Sequence, residues 1–368
     1  MERTLHSSQL SRTVFAAATE TDDVEMRNLL ANVPMNGALR IGFRREPSMF
    51  RCPAPAGDAE HTLVARRDGR LISVGSWTER EVWLHGKRQS VGYLHALRMA
   101  PGTSGSMRVL REGYASLARE IARAKSVAWF TSIDASNQRA RKVLESRANG
   151  LPRYYRMADY QTRVIPVSHR GPKNVISGAE SIEELGEFLN HEDARHDLSL
   201  AWNEARWSAL ARSGFTSNDI VVIRRKGRIV AAAGVWDQRA WKQVVVHQYP
   251  RWMERLRPVI DAGAACLGHN GLPCAGHPVS LGSVFPFAVA EGCADLLPEL
   301  WRDLAAIARR RNLHWLVLGL EAEDPLWQRV RSIGINYRTI LYWVCGAGFP
   351  ETFPEPSDRT PRPECATL

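Results

Sequence analysis

One nine-residue pattern occurs twice in this chain. Val64-Ala65-Arg66-Arg67-Asp68-Gly69-Arg70-Leu71-Ile72 matches Val222-Ile223-Arg224-Arg225-Lys226-Gly227-Arg228-Ile229-Val230 at five of nine positions, 158 residues on. Further along, Ile121-Ala122-Arg123 and Trp129 recur as Ile307-Ala308-Arg309 and Trp315, at an offset of 186. The same elements return in the same order, with about 28 more residues between them in the second copy. This favours a tandem duplication and agrees with a length of 368 residues, beyond the usual single core. An Asp-Gly pair between apolar runs, as at Asp68-Gly69, is a strong hairpin signal.

The first copy centres on residues 91–110. Tyr93, His95, Leu97 and Met99 alternate as in a strand, and Pro101-Gly102 stop it. Ser104-Gly105-Ser106 make a small polar loop. Met107, Leu110, Tyr114, Leu117 and Ile121 then recur at helical spacing. A strand that passes through small residues into a helix gathers unpaired backbone N–H groups at the positive end of the helix dipole. That arrangement suits a phosphate or pyrophosphate. Around it the pattern predicts strands over 14–18 and 38–43, a helix to Leu30, a hairpin over 61–77, a buried strand over 127–133, a helix over 137–146 and a strand over 155–167. In the second copy, helices are expected over 182–189, 202–211 and 252–265.

Tyr93-Leu94-His95-Ala96-Leu97-Arg98-Met99-Ala100-Pro101 followed by Gly105 resembles the central motif of the GNAT superfamily of N-acetyltransferases. There a Leu-x-Val-x-Pro strand leads into an Arg-Gly-x-Gly-x-Gly/Ala loop that holds the pyrophosphate of acetyl-CoA. Leu97, Pro101 and Gly105 keep the pattern; Ser104, Met107 and Val109 depart from it. The resemblance implies an α/β (α+β) chain of two tandem GNAT-like domains, each a mixed, mostly antiparallel sheet flanked by helices. The expected division is a loose N-terminus (1–11), a domain with the acyl-CoA site (12–167), a linker (168–179), a degenerate second domain (180–347) and a disordered proline-rich tail (348–368). Phe285-Pro286-Phe287-Ala288-Val289-Ala290-Glu291-Gly292 stands where the second copy would need a glycine loop, so that copy is not expected to bind CoA.

Acyl transfer from CoA to an amine needs a polarised thioester carbonyl, a proton acceptor and, optionally, an acid for the departing thiolate. By position, the backbone of Leu97, Arg98 and Met99 matches the carbonyl-binding strand; Gly102, Ser104, Gly105, Ser106 and Met107 form the pyrophosphate loop. Asn137 opens Asn137-Gln138-Arg139-Ala140-Arg141-Lys142-Val143-Leu144, which is similar to the family's pantetheine-contacting helix, with Leu144 in place of the family's acidic tyrosine. Where relatives carry an acidic base this chain has Ala96, which leaves the adjacent His95 as the catalytic candidate. Its position beside Tyr93 and Leu97 also reads as a core histidine. Asp23, Glu25 and Glu81 are acidic alternatives. If base and acid are both lost, the active site is shifted or dead.

The formal charge of +10, with an isoelectric point near 9.6, fits an anionic co-substrate or an arginine-rich composition. It also leaves open a Fem-like transferase, a tandem GNAT fold that draws an aminoacyl group from tRNA, and a non-catalytic binding protein. Six scattered cysteines suit a reducing cytoplasm, and no apolar run reaches membrane-spanning length. Cys266, His269, Cys274 and His277 offer four ligand-type side chains within twelve residues. Their spacing matches no common zinc site, so a metal-free loop is expected. Nine of the twelve tryptophans follow residue 200 and read mainly as core; Trp236 and Trp241, with Arg239 and Lys242, read alternatively as an acceptor surface. The expected reaction is transfer from acetyl-CoA or another acyl-CoA to a small-molecule or peptide amine, with the second copy shaping the acceptor site or a homodimer.

Overall fold

The computed structural model describes residues 12–35, 39–51, 60–172, 181–330 and 334–368. The first half runs β1 (Thr13–Ala17), α1 (Asp23–Asn32), β2 (Arg40–Arg44), β3 (Glu60–Arg67), β4 (Arg70–Leu84), β5 (Lys87–Met99), α2 (Ser106–Ile121), β6 (Ala128–Asp134), α3 (Gln138–Leu144) and β7 (Arg153–Pro166). The second runs α4 (Ile182–Asp193), α5 (Glu204–Arg212), β8 (Ile220–Arg225), β9 (Arg228–Trp236), β10 (Gln243–Gln248), α6 (Arg251–Cys266), β11 (Leu281–Val289), α7 (Leu297–Arg310), β12 (Trp315–Glu321) and β13 (Ile335–Cys345).

The nine-residue match falls on equivalent hairpins. Asp68-Gly69 and Lys226-Gly227 all have positive φ, the backbone a two-residue hairpin turn requires. In both hairpins an arginine closes the turn: Arg66 donates to the Gly69 carbonyl at 2.7 Å, and Arg224 to that of Gly227 at 3.1 Å. Each also grips the first helix of its half, Arg66 through Glu25 of α1 and Arg224 through Glu184 of α4.

Eleven strands form one mixed, mostly antiparallel sheet in the order β1-β3-β4-β5-β6-β13-β7-β12-β11-β9-β8. Two pairs in it are parallel, β5 with β6 and β11 with β12. Around the antiparallel β13·β7 pair the order is nearly symmetric, with β1 as an extra edge strand. The mixed, mostly antiparallel sheets expected for the two halves run together as one. β7, the last strand of the first half, lies beside β12 of the second, and β13 lies beside β6 of the first. The exchange joins the halves into one sheet and leaves neither with an open edge at the join. β2 and β10, one from each half, form a second, two-stranded sheet.

Helices cover both faces. Tyr114 and Ile121 of α2 pack on Leu63, Trp77, Leu94 and Trp129, while α7 lays Leu300, Leu304 and Ile307 over Val221, Val235 and Leu316. A third core is shared by the halves: Val82, Val91, Tyr93 and Phe130 meet Leu189, Trp202, Trp236 and Phe285. Trp236 and Trp241 are therefore buried neighbours, ring centroids 5.9 Å apart, and not an acceptor surface.

The tail expected to be disordered is placed. Arg362 pairs with buried Asp324 at 2.7 Å, Tyr160 donates to the Pro363 carbonyl at 2.7 Å, and Ala366 and Thr367 are buried. Five prolines in this stretch suggested a solvated coil, but its last residues carry polar groups that satisfy buried side chains elsewhere. The loose segment expected over 1–11 lies outside the described residues, as does most of the 168–179 linker.

Candidate functional site

Parallel strands β5 and β6 pair only as far as Leu94↔Thr131. Two features open the gap beyond that point. Ala96 has φ of +54°, and the β4·β5 register slips between Val74 and Ser76, so a bulge turns the end of β5 away. Thr131 fixes the branch point by donating to the Leu94 carbonyl at 2.8 Å. From His95 to Met99 the edge of β5 that faces the gap has no strand partner.

Past Met99 the chain turns through Gly102 (φ +75°) and Gly105 (φ +63°) into α2. Gly105 caps the helix with no side-chain hydrogen bond and there is no acidic residue in the first turn, so the first N–H groups remain free for an anion. Thr103 donates to the Ala100 carbonyl at 2.7 Å, and Arg67 donates to both Ser104 oxygens at 3.0 Å. Arg67 brings a cation to this loop from 37 residues away in sequence.

A cavity of about 200 Å³ lies in the gap and reaches under α2. His95, Leu97, Arg98, Met99 and Asn137 all line it, so the strand and helix candidates converge on one space. Gly102, Ser104, Gly105, Ser106 and Met107 do not line it; they lead into the start of α2, whose Val109 and Leu110 do. Asn137 also caps α3, its Oδ1 accepting from Ala140 N at 3.2 Å. The Arg98 guanidinium is turned toward α1, donating to the Val33 carbonyl at 3.2 Å.

Ring nitrogen Nε2 of His95 is sealed from solvent and has no hydrogen-bond partner, and the ring stacks on Tyr93 at 5.3 Å. Burial pushes this imidazole down to about 3; Arg45, Arg80 and Lys242 push the same way against the pull of Glu60. Burial, with the charge of Arg45, also brings the Lys242 ammonium down to about 8. Glu60 is held below the usual carboxylate range: burial would raise it, but Arg45, 3.6 Å away, together with Lys242 and Arg80 outweighs that. A neutral His95 accepts a hydrogen bond readily and a proton poorly. Asp23, Glu25 and Glu81 are bound elsewhere, to Arg27, Arg66 and Asn203 respectively, and none lines the cavity.

The His95 environment sets one pH response. Between pH 6.5 and about 3 the unfolded chain binds a proton that the folded chain refuses, so stability rises with pH across that window. Acidification removes about 1.4 kcal/mol per unit from this group. His95→Gln is expected to flatten the pH dependence of denaturant unfolding by about one proton between pH 6.5 and 4. An unchanged slope would show that His95 titrates normally.

The second parallel pair looks different. Residues 363–368 pack against β11 and β12, and Cys365 donates toward the Val317 carbonyl. Gly319 makes room for them, since a Cβ there would sit 2.6 Å from that of Cys365. The chain thus fills its own second gap. Arg80 and Lys242 bind the same segment, through Thr367 at 3.0 Å and the Leu368 carbonyl oxygen at 3.2 Å.

No family model matches the sequence, and no curated protein matches it. Solved structures do match the fold. Saccharomyces cerevisiae N-myristoyltransferase with bound myristoyl-CoA aligns at a TM-score of 0.58 and 10% identity, over 95% of this chain and 84% of that one. The GCN5-related glucosamine N-acetyltransferase region of a fungal multi-domain GH3 β-N-acetylglucosaminidase aligns at 0.55 and 11% identity, over 91% of this chain and 38% of that one. The fold is GNAT-like. A GCN5-related N-acetyltransferase from Sphaerobacter thermophilus also matches, at a TM-score of 0.47 and 13% identity, over 80% of this chain and 83% of that one.

Among the described residues no three His, Cys, Asp or Glu side chains are grouped to hold a metal; Cys266 and Cys274 are free and exposed. No described helix is long and apolar enough to cross a membrane. Sequence reading missed Arg67, Tyr114, Tyr154 and the cluster of Arg45, Glu60, Arg80 and Lys242. These come from distant segments and carry no local signal; Gly113, a glycine inside a helical pattern, was the one available flag.

Proposed function

We propose that this protein is an N-acyltransferase that takes its acyl group from an acyl-CoA bound in the gap between β5 and β6. The observation that carries this reading is the asymmetry between the two gaps: the first is open beside a free helix N-terminus, and the second is filled by the chain itself. In this reading the tandem copies span about 12–167 and 180–347, and only the first binds a donor.

The pyrophosphate would lie on the N–H groups of Ser106 and Met107, with Arg67 alongside, and the pantetheine arm between β5 and Asn137. Backbone N–H groups on the free edge of β5 would polarise the thioester carbonyl. An amine then attacks that carbon; the C–N bond forms, the C–S bond breaks, and the departing thiolate takes up, directly or through solvent, the proton that the amine nitrogen sheds. A thiolate is a good enough leaving group for Leu144 to stand where relatives have tyrosine. His95, which lines the cavity, would accept a hydrogen bond from the attacking amine through a ring nitrogen and orient it. The nearby cations disfavour an ammonium and keep the amine nucleophilic.

Calorimetric titration with acetyl-CoA and longer acyl-CoAs, followed by amine-dependent thiol release, tests the reading. Saturable binding at one site per chain supports it; no binding up to millimolar concentration overturns it and turns the search to aminoacyl-tRNA. His95→Ala is expected to lower kcat by about 100-fold. His95→Gln, which keeps an acceptor but cannot take a proton, should retain most of the activity if orientation is the role.

A further inference from the structure

Resting on the acyl-CoA reading, we propose that the transferred group is a medium-length acyl chain of up to roughly eight carbons, lodged beneath α2. The cavity does not end at the gap. It continues under the helix between the apolar Phe15, Leu63, Val109, Gly113 and Leu117, while Ser132, Asp134 and Asn137 line the gap itself. The whole cavity, including the gap that takes the pantetheine arm, measures about 200 Å³. A dry apolar cavity of about 150 Å³ accommodates benzene, which sets roughly eight carbons as the upper limit for the chain. An acetyl group would leave the part under α2 empty, a standing cost to the fold that a longer chain removes.

The wall is prepared for an alkyl chain. Tyr114 and Tyr154 hydrogen-bond to each other, Ser73 donates to the Arg98 carbonyl and Thr131 to that of Leu94. An entering chain therefore strands none of these groups. Gly113 interrupts α2, where glycine weakens a helix by about 1 kcal/mol relative to alanine. A Cβ there would stand 3.3 Å from the Phe15 ring, so its absence widens the cavity where the helix crosses it.

The test is donor affinity, measured by calorimetry without acceptor, across saturated acyl-CoAs of two to fourteen carbons. Affinity is expected to rise about fourfold for each added CH₂ up to roughly eight carbons and then to level or fall. Gly113→Leu should weaken octanoyl-CoA at least tenfold and leave acetyl-CoA within twofold, which also shows that the variant is folded. Leu117→Phe should shift the optimum the same way from the next turn of α2. A flat series in the native protein, or equal loss of both donors in Gly113→Leu, overturns the proposal while the acyl-CoA reading stands. Absence of any CoA binding overturns both.

Discussion

Gly105→Glu is expected to abolish acyl-CoA binding while leaving the protein folded. Gly105 has φ of +63°, and a Cβ built there meets nothing within 4 Å. A side chain therefore fits, at a backbone cost of about 1–2 kcal/mol for the left-handed conformation. A carboxylate at a helix N-terminus gives back about 0.3–1 kcal/mol through the dipole, so net stability changes little. Binding responds differently. The new charge would sit within a few ångströms of the pyrophosphate, where like charges at an effective dielectric near 20 repel by about 4 kcal/mol. That corresponds to roughly a thousandfold rise in the dissociation constant. Gly105→Ala isolates the backbone term and should cost no more than about tenfold. Calorimetry and thermal melts on the two variants check both halves; Gly105→Glu binding within tenfold of native would place the pyrophosphate elsewhere.

The strand, loop and helix around the cavity were legible because their parts are local. The strand that stops at Pro101, the glycines of the loop and the apolar spacing from Met107 to Ile121 lie within some thirty residues, and each obeys a short-range rule. Both hairpins were legible for the same reason, through Asp68-Gly69 and Lys226-Gly227. Strand exchange was not. β7 and β13 carry similar alternation, and nothing in either says which parallel pair it will join; register with β6 and β12 decides that. The electrostatics around His95 were equally hidden, since Arg45, Glu60, Arg80 and Lys242 span nearly two hundred residues. The histidine left as the catalytic candidate, which also read as a core residue, is held neutral by burial and by these neighbours. The tail misled because composition speaks for solvation only where a segment has nothing to bind. Thr367 and Ala366 have Arg80, Gln238 and Lys242.

Deletion of residues 364–368 is expected to lower stability by about 5 kcal/mol and the thermal midpoint by roughly 10 °C. Arg80 would lose both Thr367 contacts, and Gln238 and Lys242 would lose the Ala366 carbonyl at 3.1 and 3.4 Å. Each buried polar group left without a partner costs about 1–3 kcal/mol, and charged groups cost more. The emptied second gap should not bind a donor. Helix α7 starts with Leu296 and Leu297 buried and proline in its first turn, so its N-terminus does not face an open site as Gly105 does. One acyl-CoA per chain is therefore expected before and after deletion. None of residues 364–368 lines the donor cavity, so donor affinity should stay within threefold. The segment does anchor Arg80 and Lys242, two of the charges around His95, and their release should cut kcat at least tenfold. Loss of donor affinity in step with kcat would mean that the segment only holds the fold together. A fall in kcat alone would show that the chain uses its own closed copy to set the charge around the amine in the open one.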